Sequence, residues 1–313
     1  MNFPVFDLHC DTALGLLDRE GMVCKNLADN DLHIDLNRAG ELPGYAQCFA
    51  CFTTSLYDHS PVLMFERELE AIVSQIELHR DRIRLTYTPE EIEANQNNGL
   101  MSAILSIEGP AGFHFDPEML EPLHRIGFRL STLGWNEQNP LTGSHVTGGG
   151  LTDLGKAYVR EAQRLNFLID VSHISDEGFW DIMNITQKPI IASHSNSRSM
   201  WNVSRNLTDD MFRAICQSEG VVGINLYADF LGESPDLNTV CRHILHFLEL
   251  DPTGKHIALG GDLDGCDVLP AGFNGVQDYP KLAQHLLACG LNESLIYDIF
   301  WNNAVEVMKR CCT

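Results

Sequence analysis

A histidine and an aspartate stand two residues apart in the segment DLHCD at residues 7–11, at the end of a short apolar run. If a strand continues through this segment, residues 7, 9 and 11 point to one side, because side chains alternate along a strand. Imidazole and carboxylate together suit a divalent metal ion such as zinc. His9 and Asp11 are therefore either a pair of metal ligands or a single hydrogen bond that ends the strand.

Two more carboxylates end apolar runs. Glu108 ends the run that begins at Met101, and Asp262 ends the last such run, which begins at Ile257. A carboxylate at the end of a buried strand must be paired, protonated or bound to a cation. Asp262 could also exchange a proton with a reacting group. The simpler alternatives are an acid that caps a loop at Glu108 and a Gly-rich turn after residue 260 with only a conformational role.

Two further apolar runs each end in Ser-His, at His173 and at His194, and their positions differ by one β-then-α unit. A single histidine is more often a core or surface residue than a ligand. Two histidines at equivalent ends of consecutive strands favour metal binding. With Glu108, Asp262 and the pair at residues 9 and 11, they predict a two-metal hydrolase site.

The elements that would position these residues form a regular series along the chain. Apolar runs predict strands at residues 3–9, 45–53, 101–108, 128–134, 167–173, 189–194, 220–225 and 257–262. Helix-like segments follow most of them, at residues 61–80, 153–165, 176–185, 209–217 and 239–248, and several begin at an Asp, Thr or Ser that could cap the helix.

Eight β-then-α units predict an α/β fold, a closed (β/α)8 barrel that occupies residues 1–313 as a single domain. The polar residues at the ends of the runs would then lie at the carboxyl end of the barrel, which is its catalytic face. An open doubly wound sheet is the alternative. Such a sheet usually carries a Gly-rich dinucleotide fingerprint after its first strand, and this sequence has none there.

Composition narrows the classes of partner. In 313 residues there are 43 acidic and 21 basic side chains, for a formal charge of −22. Such a surface repels nucleic acid and anionic membranes. We expect no membrane-spanning segment and no secretory leader, since no apolar stretch reaches the ~18 residues that a span requires. The ten cysteines are then expected to be reduced thiols in a cytoplasmic protein.

The order of these motifs resembles the renal, or membrane, dipeptidase family of zinc metallopeptidases (peptidase family M19), within the amidohydrolase-like barrels. Many other amidohydrolases open with His-x-His on the first strand, whereas this chain opens with His-x-Asp. The resemblance covers most of the chain, and it rests on His9-Cys-Asp11, Glu108-Gly, Gly150-Leu-Thr, Asp170-Val-Ser-His173, Ser193-His194-Ser, Arg205-Asn206 and Gly261-Asp262-Leu-Asp264.

The resemblance implies a complete site. His9 and Asp11 would bind one zinc ion. Glu108 would bridge this ion to a second zinc ion, which two histidines would hold. Two zinc ions roughly 3.5–4 Å apart would hold a bridging water, lower its pKa and polarise the scissile carbonyl. Asp262 would act as acid and base. It would take a proton from the attacking water and deliver it to the departing amine. The ligands of the second ion would be His173 and His194.

The resemblance also implies that the substrate is a small dipeptide, that a D-residue is tolerated on its carboxyl side, and that the protein is a homodimer. Arg205 would grip the free carboxylate of the substrate, with Asn206 beside it. Arg198 is the rival candidate, and a surface salt bridge is its simpler interpretation. Trp135 stands where vertebrate members carry a histidine that contacts the substrate carbonyl. An indole N–H has no acid or base capacity.

Trp135 keeps a second function open, a two-metal hydrolase of another small amide, lactam or ester. A non-hydrolytic, metal-binding relative is a third possibility, although such a protein would not need Asp262.

Three groups of cysteine residues could have further roles. The pair at residues 48 and 51 is expected to be buried on opposite faces of a strand. Cys241, His243 and His246 are weak candidates for another metal site, and the tail at residues 311–312 is expected to be loose.

Overall fold

The computed structural model describes residues 3–56 and 60–312. Within these ranges the chain forms parallel strands that alternate with helices. The strands are β1 (Val5–Cys10), β2 (Tyr45–Phe52), β3 (Ile83–Leu85), β4 (Met101–Glu108), β5 (Phe128–Thr132), β6 (Leu168–Asp170), β7 (Ile190–Ala192), β8 (Val221–Ile224) and β9 (Ile257–Leu259). All eight predicted runs contain one of these strands.

Eight of the strands close into a barrel. Their order is β2-β1-β9-β8-β7-β6-β5-β4, and β2 pairs with β4 along seven successive residue pairs to close the ring. The prediction of a closed (β/α)8 barrel is therefore confirmed. The short strand β3 was not predicted from the sequence. It pairs with the first three residues of β4, ahead of the point where β5 joins the same edge.

Helices cover the outside of the barrel, and most begin where a polar side chain accepts a hydrogen bond from the first turn. Ser60, Thr88, Thr152, Ser175 and Thr208 each cap the helix that follows in this way. The helices of five residues or more are α1 (Pro61–Leu78), α2 (Pro89–Asn97), α3 (Leu120–Arg125), α4 (Asp153–Arg164), α5 (Asp176–Ile185), α6 (Asp209–Gln217), α7 (Leu237–Leu250), α8 (Tyr279–Ala288), α9 (Glu293–Tyr297) and α10 (Asn303–Cys311).

One predicted helix start shifts, and three predicted helix ends move by one or two residues. The helix expected at residues 239–248 begins two residues earlier, because Asp236 accepts a hydrogen bond from the backbone of Thr239 while Thr239 reaches back to the backbone of Asp236. This reciprocal capping box satisfies two free backbone donors of the first turn. Across the described ranges, no helix combines the length and the hydrophobicity that crossing a bilayer requires.

Apolar side chains from all eight barrel strands fill the interior of the barrel. The C-terminal helix α10 closes its lower end, where Trp301, Val305 and Met308 pack against them. The expectation of a loose C-terminal tail is wrong, since Cys311 and Cys312 are both buried in this layer. The inward-facing strand residues are Phe6, Leu8, Ala46, Cys48, Ile104, Leu130, Leu168, Ile191, Val221 and Ala258.

The two cysteines of β2 are buried on different sides of the barrel wall. Cys48 belongs to the interior cluster, and Cys51 belongs to the layer between strands and helices. The prediction of a structural pair on opposite faces is confirmed. All ten cysteines are free thiols.

The start of the barrel departs from a regular strand. The pairing register of β1 with β2 shifts between Asp7 and Cys10. Asp7 accepts hydrogen bonds from the hydroxyl of Tyr279 in α8 and from the backbone N–H of Gly261. The expectation that residues 7, 9 and 11 share one face is wrong for Asp7, because the irregularity turns His9 into the barrel mouth while Asp7 stays in the outer layer.

Candidate functional site

The carboxyl ends of the parallel strands carry a cluster of buried polar side chains. His9 is the penultimate residue of β1, and Asp11 directly follows that strand. Glu108 is the last residue of β4, and Asp262 follows β9. Because parallel strands end at the same rim of the barrel, residues far apart in sequence meet there. His173 and His194, which follow β6 and β7, complete the cluster. The structure thus brings together all six residues that were predicted to hold metal or to exchange a proton.

Glu108 lies at the centre of the cluster. Its Oε2 is 3.2 Å from Nε2 of His9, and its Oε1 is 3.1 Å from Nε2 of His173 and 3.8 Å from Nε2 of His194. Asp11 and Asp262 lie on the His9 side, with carboxylate oxygens 3.8 and 3.9 Å from its Nε2. Each oxygen of Glu108 therefore faces a different group of potential ligands.

Hydrogen bonds fix the tautomers of His173 and His194. Nδ1 of His173 is 3.0 Å from Oδ1 of Asn136. Nδ1 of His194 is 2.7 Å from Oγ of Ser193, whose own proton goes to the carboxylate of Asp170. Since an amide oxygen and a hydroxyl whose proton is already donated can only accept, both Nδ1 atoms carry hydrogen.

The two Nε2 atoms are then bare acceptors, and they lie 2.9 Å apart. Burial lowers the pKa of both imidazoles well below the ordinary value, so neither is protonated at neutral pH. Two opposed lone pairs repel each other unless a cation lies between them. Metal-ligating histidines are commonly oriented in this way by a hydrogen bond from the other ring nitrogen. The donor set of His173 and His194 fits a divalent metal ion.

Burial works against the negative charges of the carboxylates. Burial raises the pKa of Glu108 to about 8 and that of Asp262 to about 6, and the nearby Asp11 adds to both shifts. Burial alone would lower the pKa of His9, but the charges and hydrogen bonds of Glu108 and Asp11 together outweigh burial and raise that pKa well above the ordinary value. Oδ1 of Asp11 and Oε2 of Glu108 are buried without a hydrogen-bond partner in the described residues. A bound cation would satisfy both oxygens.

Gly265 leaves the space that the carboxylates occupy. A Cβ atom at this position would lie 2.1 Å from Oδ2 of Asp11 and 2.4 Å from Oδ1 of Asp262. Both side chains would have to move, and neither can move outwards because both are buried. The glycine of the predicted Gly-rich turn is therefore required by a close approach.

We expect Gly265→Ala to bind less divalent metal than the wild type and to lower turnover by roughly 10-fold or more, because the Ala methyl displaces Asp11 and Asp262. Metal analysis and steady-state kinetics on the purified variant measure this effect. Gly15→Ala is the matched control, since its Cβ would meet only the flexible side chain of Leu32. Normal metal content in Gly265→Ala would contradict the prediction.

Arg205 is buried beside the cluster with part of its hydrogen-bonding capacity unused. Its Nη1 donates to Oγ of Ser195 at 2.8 Å and its Nη2 donates to the carbonyl of His194 at 2.9 Å. Its Nε has no partner among the described residues, and its guanidinium carbon lies 5.5 Å from the ring centre of Phe230. A buried guanidinium with a free N–H suits an anionic ligand. The rival, Arg198, is already paired with both oxygens of Asp176 at the surface.

A cavity of about 170 Å³ opens above the cluster. It is smaller than the roughly 300–1,000 Å³ cavities that take drug-sized ligands, so it suits a small substrate. Trp135 lines it, with its ring 5.1 Å from that of Phe52 and 6.4 Å from that of His173. A larger hollow of about 700 Å³ on the outer face of α1 contains none of the cluster residues.

Asn206 does not line this cavity. Its side-chain amide donates to the carbonyls of Trp201 and Phe230, both at 2.9 Å. Since Phe230 itself lines the cavity, Asn206 supports the cavity wall from behind.

The weak metal-site candidate on α7 has no free lone pair at His243. The two ring nitrogens of His243 contact the N–H of Ser197 and the carbonyl of Leu231.

Several residues of this site were not identified from the sequence. Asn136 orients His173 and also contacts Nε2 of His145 at 2.8 Å. Asp170 and Ser193 orient His194, and Asn225 donates to Oδ2 of Asp262 at 3.0 Å. Asp170 and Ser193 stand within the motifs DVSH and SHS, so their proximity to the histidines was a signal. Asn225 ends the apolar run at residues 220–225, so its place at a strand end was also a signal. Asn136 had none, because it lies in a loop.

Comparison with known proteins agrees with this geometry. A family model described as membrane dipeptidase, peptidase family M19, matches residues 1–312. A protein of Klebsiella pneumoniae, described only as lying in the pqqA 5′ region, is 33% identical over 256 residues, which are 76% of this chain and 93% of that protein. An uncharacterised dipeptidase of Schizosaccharomyces pombe is 32% identical over 216 residues, which are 67% of this chain and 53% of that protein.

A solved structure is similar over its whole length. The crystal structure of a metallopeptidase from Rhodobacter sphaeroides, liganded with a phosphinate mimic of the dipeptide L-Ala-D-Ala, superposes with a TM-score of 0.90 at 26% sequence identity. The match covers 99% of this chain and 100% of the other. The order of the motifs, the barrel and the family match lead to one conclusion. This chain belongs to the membrane dipeptidase family of metallopeptidases, peptidase family M19.

Proposed function

We propose that this metallopeptidase is a zinc-dependent dipeptidase with two metal ions in each chain. The observation that carries the proposal is the pair of neutral histidines, His173 and His194, whose Nε2 lone pairs oppose each other at 2.9 Å beside one oxygen of Glu108. The other oxygen of Glu108 faces His9. This arrangement provides for one ion on each side of a single carboxylate.

The proposed ligands are His9 and Asp11 for one ion and His173 and His194 for the other, with Glu108 shared. When bound, the two ions supply Lewis acidity, which activates water and polarises a peptide carbonyl. Nitrogen and oxygen ligands of this kind suit zinc.

Asp262 is the proposed acid and base. Its carboxylate is held by Asn225 and lies on the same side of the cluster as Asp11, facing the cavity. Burial gives Asp262 a raised pKa, of about 6 in the metal-free protein, and a carboxyl group with a pKa near the working pH exchanges protons efficiently. Asp262 would accept the proton of the attacking water at its carboxylate oxygen and then donate it to the departing amine.

Arg205 is the proposed binding group for the substrate carboxylate. Its Nε is buried and has no hydrogen-bond partner among the described residues. A site that requires a free carboxylate one residue after the scissile bond cleaves dipeptides and rejects longer peptides. Recognition of a substrate through its carboxylate depends little on the handedness of the last residue. This supports tolerance of a C-terminal D-residue, as does the L-Ala-D-Ala mimic bound by the similar metallopeptidase.

Trp135 supports the alternative, a two-metal hydrolase of another small amide, lactam or ester. Its indole lines the cavity and has an N–H donor as its only polar group. A role limited to metal binding would leave Asp262 and its partner Asn225 unexplained.

We expect two zinc ions per chain and cleavage of both L-Xaa-L-Ala and L-Xaa-D-Ala dipeptides, with activity lost on chelation and restored by added zinc. Metal analysis together with a dipeptide panel measures this. N-acyl amino acids and lactams in the same panel are the controls for the alternative. Two zinc ions with cleavage only of those controls would favour the alternative. A chain that binds no metal even when zinc is added would overturn the proposal.

The proposed setting is the cytoplasm, and the proposed assembly is a homodimer. Ten free cysteines, two of them exposed, support a reducing compartment. The homodimer rests on the family alone.

A further inference from the structure

A cysteine, an aspartate and a histidine meet at the opposite end of the barrel from the cluster. Cys216 lies in the last turn of α6, Asp251 directly follows α7, and His256 directly precedes β9. One potential ligand atom from each lies within 4.8 Å of the other two, and all three residues are half-buried. We infer that these residues, here named the thiolate site, bind one zinc ion.

The side chains of His256 and Asp251 are each held by one atom and leave another free. Nδ1 of His256 lies 2.7 Å from the carbonyl oxygen of Gly220. A carbonyl only accepts, so Nδ1 carries the hydrogen and Nε2 keeps its lone pair. Oδ1 of Asp251 accepts hydrogen bonds from the N–H and the hydroxyl of Thr253, at 3.1 and 2.7 Å. Oδ2 of Asp251 is buried without a hydrogen-bond partner in the described part of the chain.

The surrounding backbone also favours a cation. The carboxyl ends of α6 and α7 both meet at the thiolate site, since Cys216 is in the last turn of one helix and Asp251 caps the other. The free carbonyl groups at a helix C-terminus carry a partial negative charge that stabilises a cation there. The thiolate site is therefore electrostatically prepared for a positive ion even before its side chains are counted.

The donor set selects the class of metal. Sulfur, imidazole nitrogen and carboxylate oxygen are the ligands of zinc, whereas magnesium and calcium prefer oxygen alone. Binding forms a bond between the Cys216 sulfur and the zinc ion, and the thiol proton is released to solvent. Three protein ligands leave a fourth position for water.

The thiolate site is separate from the proposed catalytic centre. His256 and Asp262 stand at opposite ends of β9, and six residues of extended chain span about 20 Å. The catalytic cluster offers nitrogen and oxygen ligands, and the thiolate site is distinguished from it by sulfur. A zinc ion there would tie α6, α7 and β9 together, so its expected role is to stabilise the fold.

Cobalt substitution tests the inference, because thiolate-to-Co²⁺ charge transfer gives a near-ultraviolet band that nitrogen and oxygen ligands do not give. We expect the metal-free full-length protein to develop this band on addition of Co²⁺. Cys216→Ser should abolish it and should bind one fewer equivalent of zinc than the wild type. Asp251→Asn keeps the Thr253 contacts, and it should weaken binding at this site by more than the roughly 10-fold that loss of an outer-shell partner costs.

Cys24→Ser is the matched control, since Cys24 is an exposed free thiol and its loss should leave the band intact. Dipeptide cleavage should be unchanged in Cys216→Ser. Zinc should raise the Tm of the wild type more than that of this variant. The inference is overturned if the wild type shows no thiolate band, or if the band survives in Cys216→Ser. If that variant does not fold, a wild-type affinity in Asp251→Asn overturns the inference equally.

Discussion

Replacement of Asp262 by Asn should lower turnover by between about 100-fold and 10,000-fold, the range typical for loss of a positioned acid or base. The expected loss is large because an amide can neither take the proton of the attacking water nor supply one to the departing amine. Without that proton the leaving group would be an amide anion, and the tetrahedral intermediate would collapse back to substrate. Steady-state kinetics on a good dipeptide substrate measure the effect.

The Asn variant should fold normally. Asp262 has a backbone φ of +56°, and Asn is among the residues that tolerate this left-handed conformation best. The amide oxygen can still accept the hydrogen bond from Asn225. The metal content should therefore match that of the wild type, and metal analysis checks this. Asp278→Asn removes a buried carboxylate outside the cavity and should leave turnover intact. Full activity in Asp262→Asn would disprove the acid/base role.

Replacement of Arg205 by Leu should raise the KM for free dipeptides far more than the KM for dipeptide amides. Hydrogen bonds to charged groups contribute about 1.5–3 kcal/mol, which corresponds to a change of roughly 10- to 100-fold. Amides carry no carboxylate, so they do not use this interaction in the wild type. The ratio of the two KM changes is the quantity to measure.

Arg205→Lys separates the carboxylate role from a structural one. Arg205 also holds the hydroxyl of Ser195 and the carbonyl of His194, so a truncated side chain could disturb the second metal position. Lysine keeps the charge but loses the planar fork that pairs with a carboxylate. The KM of Arg205→Lys for free dipeptides should lie between the KM of the wild type and that of the Leu variant. An equal effect of Arg205→Leu on dipeptides and amides would remove the proposed role.

The fold was largely predictable because each barrel strand lies in a short run that is mostly apolar and is flanked by polar residues. The missed strand, β3, has no such run, since Ile83 is buried but Arg84 is exposed. The C-terminal helix was missed for another reason. Its packing under the barrel depends on a space that only the closed ring of strands creates.

The candidate site was predictable where chemistry and strand ends coincide. His9, Glu108 and His173 each stand at the end of a run, and a parallel barrel gathers such ends. Asn136 lies in a long loop with no periodic signal, and its bond to His173 follows from tertiary structure alone. The thiolate site could not be predicted from the sequence either, because Cys216 and Asp251 are 35 residues apart and match no spacing motif.

The residues of the cluster come from distant parts of the chain, since His9 lies in the first strand and Asp262 follows the last strand. Ribosomes add about 5–20 residues per second, so the nascent chain carries His9 for roughly 10 to 50 seconds before Asp262 is made. During that interval His9 and Asp11 have no partner carboxylate from the final strand. The cluster can therefore be complete only after β9 and the residues that follow it have been synthesised.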